Sequence, residues 1–329
     1  MPSTRFFEFA QMQGWETLEI SGADSKDFLH RLTSANFKIL QPGEITPATL
    51  LQANGKLVQY FKAIALGPAT YLLLLAPLQE GKAAANGGFE DFEKLHFIED
   101  LKISPLPSEW IYLRAVGAEK SALEKFSPPL AALWEGRGQE SSRAFHKNHD
   151  GSWIGWNEAK WSCAPIAFDL GILVKTAQAS TLISGLRAAG FHRVPSLEKY
   201  RIWARDPGPL YELTPKTLPL EAGLDDALHE NKGCYPGQEV IERIRSMGQV
   251  PRVLVQVFGQ GKSPLPSTPL LAENSEAGTL TSCTDHPFES GWVGLGYLKR
   301  TFANTNQKFT MADGQTVDVK IERSGLKTS

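Results

Sequence analysis

The chain has 329 residues, which is long enough for two or three compact units that share a sizeable core. Charged residues make up 21% of it and apolar residues 42%, as is usual for a soluble globular protein. The formal net charge of −2 provides no basic surface for duplex nucleic acid. We therefore expect no direct nucleic-acid partner.

The cysteines and the apolar runs indicate the compartment. Cys163, Cys234 and Cys283 are odd in number and far apart, which indicates reduced thiols in a reducing compartment. No CxxC or HExxH pair occurs, so we expect no metal site. The N-terminus lacks the features of a signal peptide, and the apolar run Tyr71–Leu78 is too short to span a bilayer. We expect a cytoplasmic protein with no membrane partner.

Helical and strand-like patterns alternate in the part of the chain before Arg252. Asn54-Gly55 is a strong hairpin signal between two of the strands. The mixture of helices with antiparallel strands favours an α+β fold over a parallel doubly wound sheet. The predicted elements, in chain order, are strand Thr17–Ile20; a helix within residues 24–37; strands Ala48–Gln52, Leu57–Leu66 and Thr70–Ala76; a helix around Phe89–Phe97; strands Leu101–Ser104, Trp110–Val116 and Pro165–Val174; and helices Ala179–Gly190 and Leu197–Arg205.

Two changes of pattern indicate where the chain divides. Residues 127–152 show no clean period and many breakers, which predicts a long loop or a break between subdomains. From Arg252 onwards, short strand-like segments separated by Gly, Pro and Asn predict a small all-β barrel or sandwich. The sequence therefore predicts a body in residues 1–248, with a break near 127–152, and a C-terminal β-domain in residues 249–329.

The segment Lys232–Glu239, with the letters KGCYPGQE, precedes an amphipathic helix. Pro236 suits the first turn of that helix, and Gly248 suits its C-terminal cap. Cys234 then lies just before the helix N-terminus, two residues after Lys232, and both surroundings favour a thiolate. The alternative is a small buried cysteine beside an ordinary solvated lysine. The apolar face of the helix is predicted from Val240, Ile241, Ile244 and Met247.

KGCYPGQE is similar to the signature K-G-C-Y-x-G-Q-E of the YgfZ-like family of folate-binding iron–sulfur assembly factors. The similarity extends upstream through Pro219–Leu224 and downstream into the LGYLKR segment, and it covers most of the chain. It implies a tetrahydrofolate-binding accessory factor for the assembly or repair of iron–sulfur enzymes, including tRNA-modifying ones. The partners it implies are folate and, transiently, iron–sulfur enzymes or assembly proteins.

The YgfZ-like family in turn resembles the aminomethyltransferase, or T-protein, of the glycine cleavage system. This resemblance implies an α+β body of ferredoxin-like parts around a central folate-binding hole, followed by a C-terminal β-barrel. It places Gln59 and Tyr60 where the T-protein has the carboxylates that work on the methylene group, so methylene transfer is not expected. A folate-dependent aminomethyl or methyl transferase is the alternative function. A structural relative that has lost its ligand is a third.

The resemblance also assigns roles to single residues. Cys234 would be the reactive thiol, and Lys232 would hold its thiolate or meet an anionic group of the folate. Trp203 stands where the T-protein has a pterin-binding glutamate, and a tryptophan can stack on a pterin without accepting its N–H bonds. No permanently bound metal is implied. The other candidate folate-binding residues are those that shape the turn of the motif, Tyr235, Gly237, Gln238 and Glu239.

Overall fold

The structure is a computed structural model that describes residues 6–78, 87–106, 108–132, 144–158, 165–248, 250–273, 275–303 and 308–321. Its strands, in chain order, are β1 (Phe7–Gln11), β2 (Glu16–Ser21), β3 (Ile45–Leu51), β4 (Leu57–Gly67), β5 (Thr70–Leu75), β6 (Lys102–Pro105), β7 (Trp110–Gly117), β8 (Phe145–Lys147), β9 (Trp153–Asn157), β10 (Phe168–Lys175), β11 (His192–Arg193), β12 (Arg252–Gly259), β13 (Pro269–Ala272), β14 (Ser275–Asp285), β15 (Trp292–Lys299), β16 (Phe309–Met311) and β17 (Thr316–Lys320). Its helices are α1 (Ser25–Leu32), α2 (Gly87–Glu93), α3 (Ser121–Phe126), α4 (Pro128–Ala132), α5 (Ala179–Ala188), α6 (Glu198–Trp203) and α7 (Gln238–Met247).

The first sheet of the body has the strand order β3-β4-β5-β2-β6, with antiparallel pairing throughout. β3 and β4 form the hairpin that Asn54-Gly55 predicts, and Gly55 has a φ of +77°. Glycine adopts this left-handed conformation without the steric cost that other residues carry. Phe28 and Leu29 of α1 pack on the outer face of the sheet together with Phe61.

The second sheet has the order β11-β1-β7-β10-β9-β8, in which only the described pairing of β11 with β1 is parallel. Leu182 and Leu186 of α5 cover its outer face and pack against Phe168 and Ile172 of β10. Each sheet therefore has helices on one side.

The two sheets face each other through their other sides. Successive side chains of a strand point to opposite faces, so Leu73 of β5 packs on the side of α1. Its neighbours Leu72 and Leu74 pack against Tyr112 and Leu173 of the second sheet. Both faces of β5 are buried, which explains why its sequence is a continuous apolar run rather than an alternating one.

The strands from Arg252 onwards form a closed barrel with the order β12-β15-β14-β13-β16-β17. β12 pairs with both β15 and β17, which closes the ring and leaves no open edge between these strands. The barrel predicted for this part of the chain is confirmed. Arg252 joins it to the body, because its guanidinium pairs with the buried carboxylate of Glu221. The assignment of residues 1–248 and 249–329 to separate domains stays a prediction.

Several predicted elements are corrected by the structure. The long loop predicted for residues 127–152 is wrong in part, because α4 and β8 lie within it, while residues 133–143 fall outside the described chain. The first predicted helix is also shorter than residues 24–37. It ends at Leu32, because Thr33 has an extended backbone with φ −120° and ψ 166°.

Candidate functional site

The segment Lys232–Glu239 is a loop that leads into α7, and two glycines shape it. Gly233 and Gly237 have φ values of +97° and +80°, in the region that favours glycine. Gly237 is the N-cap residue and α7 begins at Gln238, so the predicted place of Pro236 in the first helical turn is wrong. Gly248 caps the other end with a φ of +63°, as its position predicts.

Gly237 also brings the loop against the β3–β4 hairpin. A Cβ atom on Gly237 would lie 2.6 Å from the carbonyl oxygen of Gln52 and 3.1 Å from the Cα of Gly55. These are backbone atoms, so they have little freedom to move away from a side chain. The glycine is therefore required both by its conformation and by the close approach of the hairpin.

Lys232 is buried, with 5% of its surface exposed, and its Nζ donates to the carbonyl oxygens of His30 and Thr33. These carbonyls lie at the C-terminal end of α1, where the helix dipole favours a cation. The Nζ also lies 5.0 Å from the ring centroid of Tyr235. Burial lowers the pKa of Lys232 to about 8.

This geometry differs from both sequence-based interpretations of Lys232. The side chain is not a solvated charge, and the contacts of its ammonium group are with the end of α1 rather than with the Cys234 thiol. Lys232 therefore connects the Lys232–Glu239 segment to the C-terminal end of α1. These partners lie about 200 positions earlier in the chain, so no pattern in the motif predicts them.

The side chains of Lys232 and Tyr235, on either side of Cys234, are buried, whereas Cys234 itself is exposed. Tyr235 is 7% exposed and packs in a core cluster with Leu51 and Ile241, and its hydroxyl has no hydrogen-bond partner among the residues that the structure describes. On the helix, Met247 is 57% exposed, so its predicted place on the buried face is wrong. Glu239 is exposed and Gln238 half-buried. The loop therefore exposes the thiol of Cys234 to solvent, while the buried side chains beside it hold the loop in place.

The other cysteines differ from Cys234. Cys283 is half-buried on barrel strand β14, and burial raises the pKa of its thiol to about 12. Cys163 lies outside the described residues. Among the described residues, no group of three or more histidine, cysteine or acidic side chains is placed to hold a metal ion.

A second candidate site is a cavity of about 30 Å³ between the inner faces of the two sheets, called the central cavity below. The strand period turns alternate residues toward it, such as Tyr60 and Lys62 of β4 and Tyr112 and Arg114 of β7. No residue of the Lys232–Glu239 segment lines it. The full lining is Met12, Trp15, Tyr60, Lys62, Tyr112, Arg114, Glu158, Arg201, Asp206, Pro207, Pro209 and Leu213.

Charged side chains around this cavity are paired. Glu158 accepts hydrogen bonds from Lys62, from the hydroxyl of Tyr112 at 2.7 Å and from Nε1 of Trp156 at 2.8 Å. Burial raises the pKa of Glu158, but the cations Lys62 and Arg114 outweigh that effect and hold the pKa below its ordinary value. The carboxylate is therefore ionised near neutral pH.

Two arginines complete the charged network. Arg114 forms a bidentate pair with Asp169 at 2.6 and 2.7 Å and contacts Asp206 at 3.1 Å. Arg201 donates to Glu212 at 2.8 Å. Sequence reasoning missed this network, although Lys62 and the two partners Arg114 and Asp169 stand out as charges inside otherwise apolar strands. Buried charges of this kind persist only when paired.

Trp203 is not among the residues that line this cavity, and its role in pterin binding stays a prediction. It ends α6, and its ring packs 5.9 Å from Phe288 and 6.2 Å from His286, in the connection after β14. Its carbonyl oxygen accepts a hydrogen bond of 2.6 Å from Gln256 of the barrel. The residues after Leu197 that do line the cavity are Arg201, Asp206, Pro207, Pro209 and Leu213.

Gln59 and Tyr60 lie on opposite faces of β4. Tyr60 lines the central cavity, whereas Gln59 lines a separate pocket with Glu16 and Asp91. The amide nitrogen of Gln59 donates to the carbonyl oxygens of Tyr60 and Ala76 at 3.0 and 2.7 Å. Only one of the two positions therefore faces the cavity, and it carries a phenol.

Comparison with known proteins identifies the fold of this chain. The chain is similar to the crystal structure of the glycine cleavage system aminomethyltransferase T from Bartonella henselae, with a TM-score of 0.76 and 16% identity over 98% of this chain and 86% of that one. It is 26% identical over 321 residues to a protein of Arabidopsis thaliana named as a putative chloroplastic transferase, which covers 94% of this chain and 67% of the relative. No protein-family model matches.

The chain therefore has the fold of a glycine cleavage aminomethyltransferase over nearly its whole length. The predicted fold class, an α+β body followed by a closed C-terminal barrel, is confirmed. None of the helices in the described part of the chain is long and apolar enough to cross a bilayer.

The contact of Gly237 with the hairpin predicts unequal effects of two alanine substitutions. Gly233→Ala adds only backbone strain, about 1–2 kcal/mol for a left-handed residue, because no atom lies within 4 Å of its Cβ position. Gly237→Ala adds the same strain and a clash with backbone, so we expect it to lower the free energy of unfolding by about 1–3 kcal/mol more. Urea denaturation measures both. Equal losses would show that the hairpin contact is unimportant.

The different surroundings of the cysteines predict selective alkylation. With iodoacetamide at pH 8, we expect Cys234 to react at least about tenfold faster than Cys283, because a thiol with a raised pKa carries little thiolate. Peptide mass spectrometry over time gives both rates. In 8 M urea, as a control, the two rates should become similar. Equal rates in the folded protein would contradict the burial of Cys283 and the exposure of Cys234.

Proposed function

We propose that this chain is a tetrahydrofolate-binding accessory factor for the assembly or repair of iron–sulfur enzymes, tRNA-modifying ones among them. The observation that carries the proposal is the exposed thiol of Cys234, held between the buried anchors Lys232 and Tyr235 in the KGCYPGQE motif. An exposed, rigidly placed thiol suits transient contact with a partner protein. The similarity of this motif to the YgfZ-like signature supports the same proposal.

The residues that line the central cavity are of chemical types that can bind a folate. Tyr60 and Tyr112 offer aromatic surfaces for a pterin, Glu158 accepts N–H donors, and Lys62 suits a carboxylate of the glutamate tail. The cavity of about 30 Å³ is far smaller than sites for drug-sized ligands, which have roughly 300–1,000 Å³. Binding would therefore require lining side chains to move apart. When bound, tetrahydrofolate would supply a carrier of one-carbon groups.

The motif residues would have separate tasks. Cys234 would make the chemical contact with a client, either by thiol–disulfide exchange, in which its thiolate attacks a client disulfide and one client sulfur leaves as a thiolate, or as a transient thiolate ligand of a cluster iron. Lys232 would act as a positioning residue through α1, and Gly237 would hold the loop on the hairpin. Clients would be iron–sulfur enzymes or assembly proteins bound transiently. We propose the cytoplasm as the compartment, because this function needs Cys234 as a reduced thiol.

A folate-dependent group transferase is a second candidate function. The name of the Arabidopsis relative favours it. Against it, Tyr60 faces the cavity at a position where the resemblance to the T-protein implies a carboxylate. A phenol is largely protonated at neutral pH and does not replace a carboxylate base.

We predict that Cys234→Ser keeps the fold but loses function. In cells that lack their own factor, this variant should fail to restore iron–sulfur enzyme activity, because the thiol is removed while the anchors Lys232 and Tyr235 remain. Thermal unfolding should be unchanged, because the side chain is exposed. Cys283→Ser is the matched control and should restore activity. Full restoration by Cys234→Ser would assign the motif a structural role alone.

We also predict no methylene transfer from aminomethyl-lipoyl carrier protein to tetrahydrofolate, because Tyr60 cannot supply the carboxylate. The assay measures methylenetetrahydrofolate formed by the purified protein, with an authentic T-protein as positive control. Turnover close to that of the T-protein, abolished by a substitution in the cavity, would favour the transferase over the accessory factor.

A further inference from the structure

In the described part of the chain, four carboxylates and three cations pair around the central cavity. Glu198 also contacts Arg201 but is 40% exposed, so it is set apart from the buried groups. The side chains in contact are the carboxylates Glu158, Asp169, Asp206 and Glu212 and the cations Lys62, Arg114 and Arg201. Burial raises the pKa of Asp169 and outweighs the opposite effect of Arg114. A carboxylate in such a site can accept a hydrogen bond from a donor that enters it.

Glu158 lines the cavity and has an acceptor position to spare. A carboxylate offers about four lone-pair positions, two on each oxygen. Within the described ranges, Tyr112 and Trp156 occupy Oε1, whereas Oε2 accepts only from Lys62. Glu212, by contrast, accepts from Arg201, Thr281, Ser282 and a backbone amide. One position on Oε2 of Glu158 therefore remains for a donor that enters the cavity.

The partner on that oxygen is also the side chain best able to move. Lys62 has a flexible four-carbon stem, and its side chain is 11% exposed while that of Glu158 is 1% exposed. Glu158 is held in place by Tyr112 and Trp156, whose rings stack with centroids 5.8 Å apart. A fixed acceptor beside aromatic walls, with a movable cation in front of it, suits a flat heterocycle that bears N–H donors.

We infer that Glu158 is the residue that selects the ligand of the central cavity, by accepting a hydrogen bond on Oε2 from an N–H group of a flat heterocycle. The inference rests on the proposed folate binding and extends it, because the 2-amino and N3–H groups of a pterin form such an edge. Glu158 thereby takes a recognition role in the cavity, which Trp203 does not line.

Two small ligands test this selection. Pterin carries the 2-amino donor, whereas lumazine has an oxygen in its place that would face the carboxylate. By calorimetry or ligand fluorescence, we expect the unaltered protein to bind pterin at least about tenfold more tightly than lumazine. Glu158→Gln should lose most of that preference, because an amide can donate to the lumazine oxygen. Glu221→Gln, which alters a buried arginine-paired carboxylate outside the cavity lining, should keep it.

The outcomes separate this inference from the proposed function. If the unaltered protein binds both ligands alike, or if Glu158→Gln keeps the preference, the role of Glu158 is refuted while folate binding stands. If it binds neither pterin nor 5-formyltetrahydrofolate, both the inference and the folate part of the function are overturned. Should Glu158→Gln fail to fold, the double variant Lys62→Met/Glu158→Gln leaves no unpaired charge and carries the same test.

Discussion

A carboxylate between two packed sheets must be paired, and the pairing of Glu158 with Lys62 joins one sheet to the other. Lys62 belongs to β4 of the first sheet, and Glu158 directly follows β9 of the second. Removing one partner of a buried pair typically costs about 3–5 kcal/mol, because the other charge is left without compensation. The relative placement of the two sheets, and with it the shape of the central cavity, depends on this contact.

The two candidate sites are separate but share an element. The β3–β4 hairpin supports the motif through Gly55, which meets Gly237, and it supplies Tyr60 and Lys62 to the cavity. Tyr60 packs in the same core cluster as Tyr235. A movement of β4 that opened the cavity would therefore reach the base of the loop that presents the thiol. The two sites are connected through packed side chains rather than by direct contact.

Local signals in the sequence were sufficient for the parts of the fold that depend on neighbours along the chain. Asn54-Gly55 predicted the hairpin, Gly248 predicted the end of α7, and the short segments after Arg252 predicted the barrel. The partners of Lys232 could not be predicted, because they are backbone groups at the end of a helix far away in the sequence. The residue types of the motif do not depend on which helix end it meets. The orientation of Trp203 was also inaccessible, since it depends on contacts with the barrel.

The hydrogen bonds of Lys232 join parts of the chain that are far apart in sequence, and this affects how the protein folds during synthesis. His30 and Lys232 are 202 residues apart, so the end of α1 emerges from the ribosome long before the amine that caps it. Contacts of this kind form late, because a large loop must close before they contribute. During synthesis the first sheet can assemble with its helix end still open. The thiol is then displayed only once chain segments far apart in the sequence have met, so a truncated product would not present it in this form.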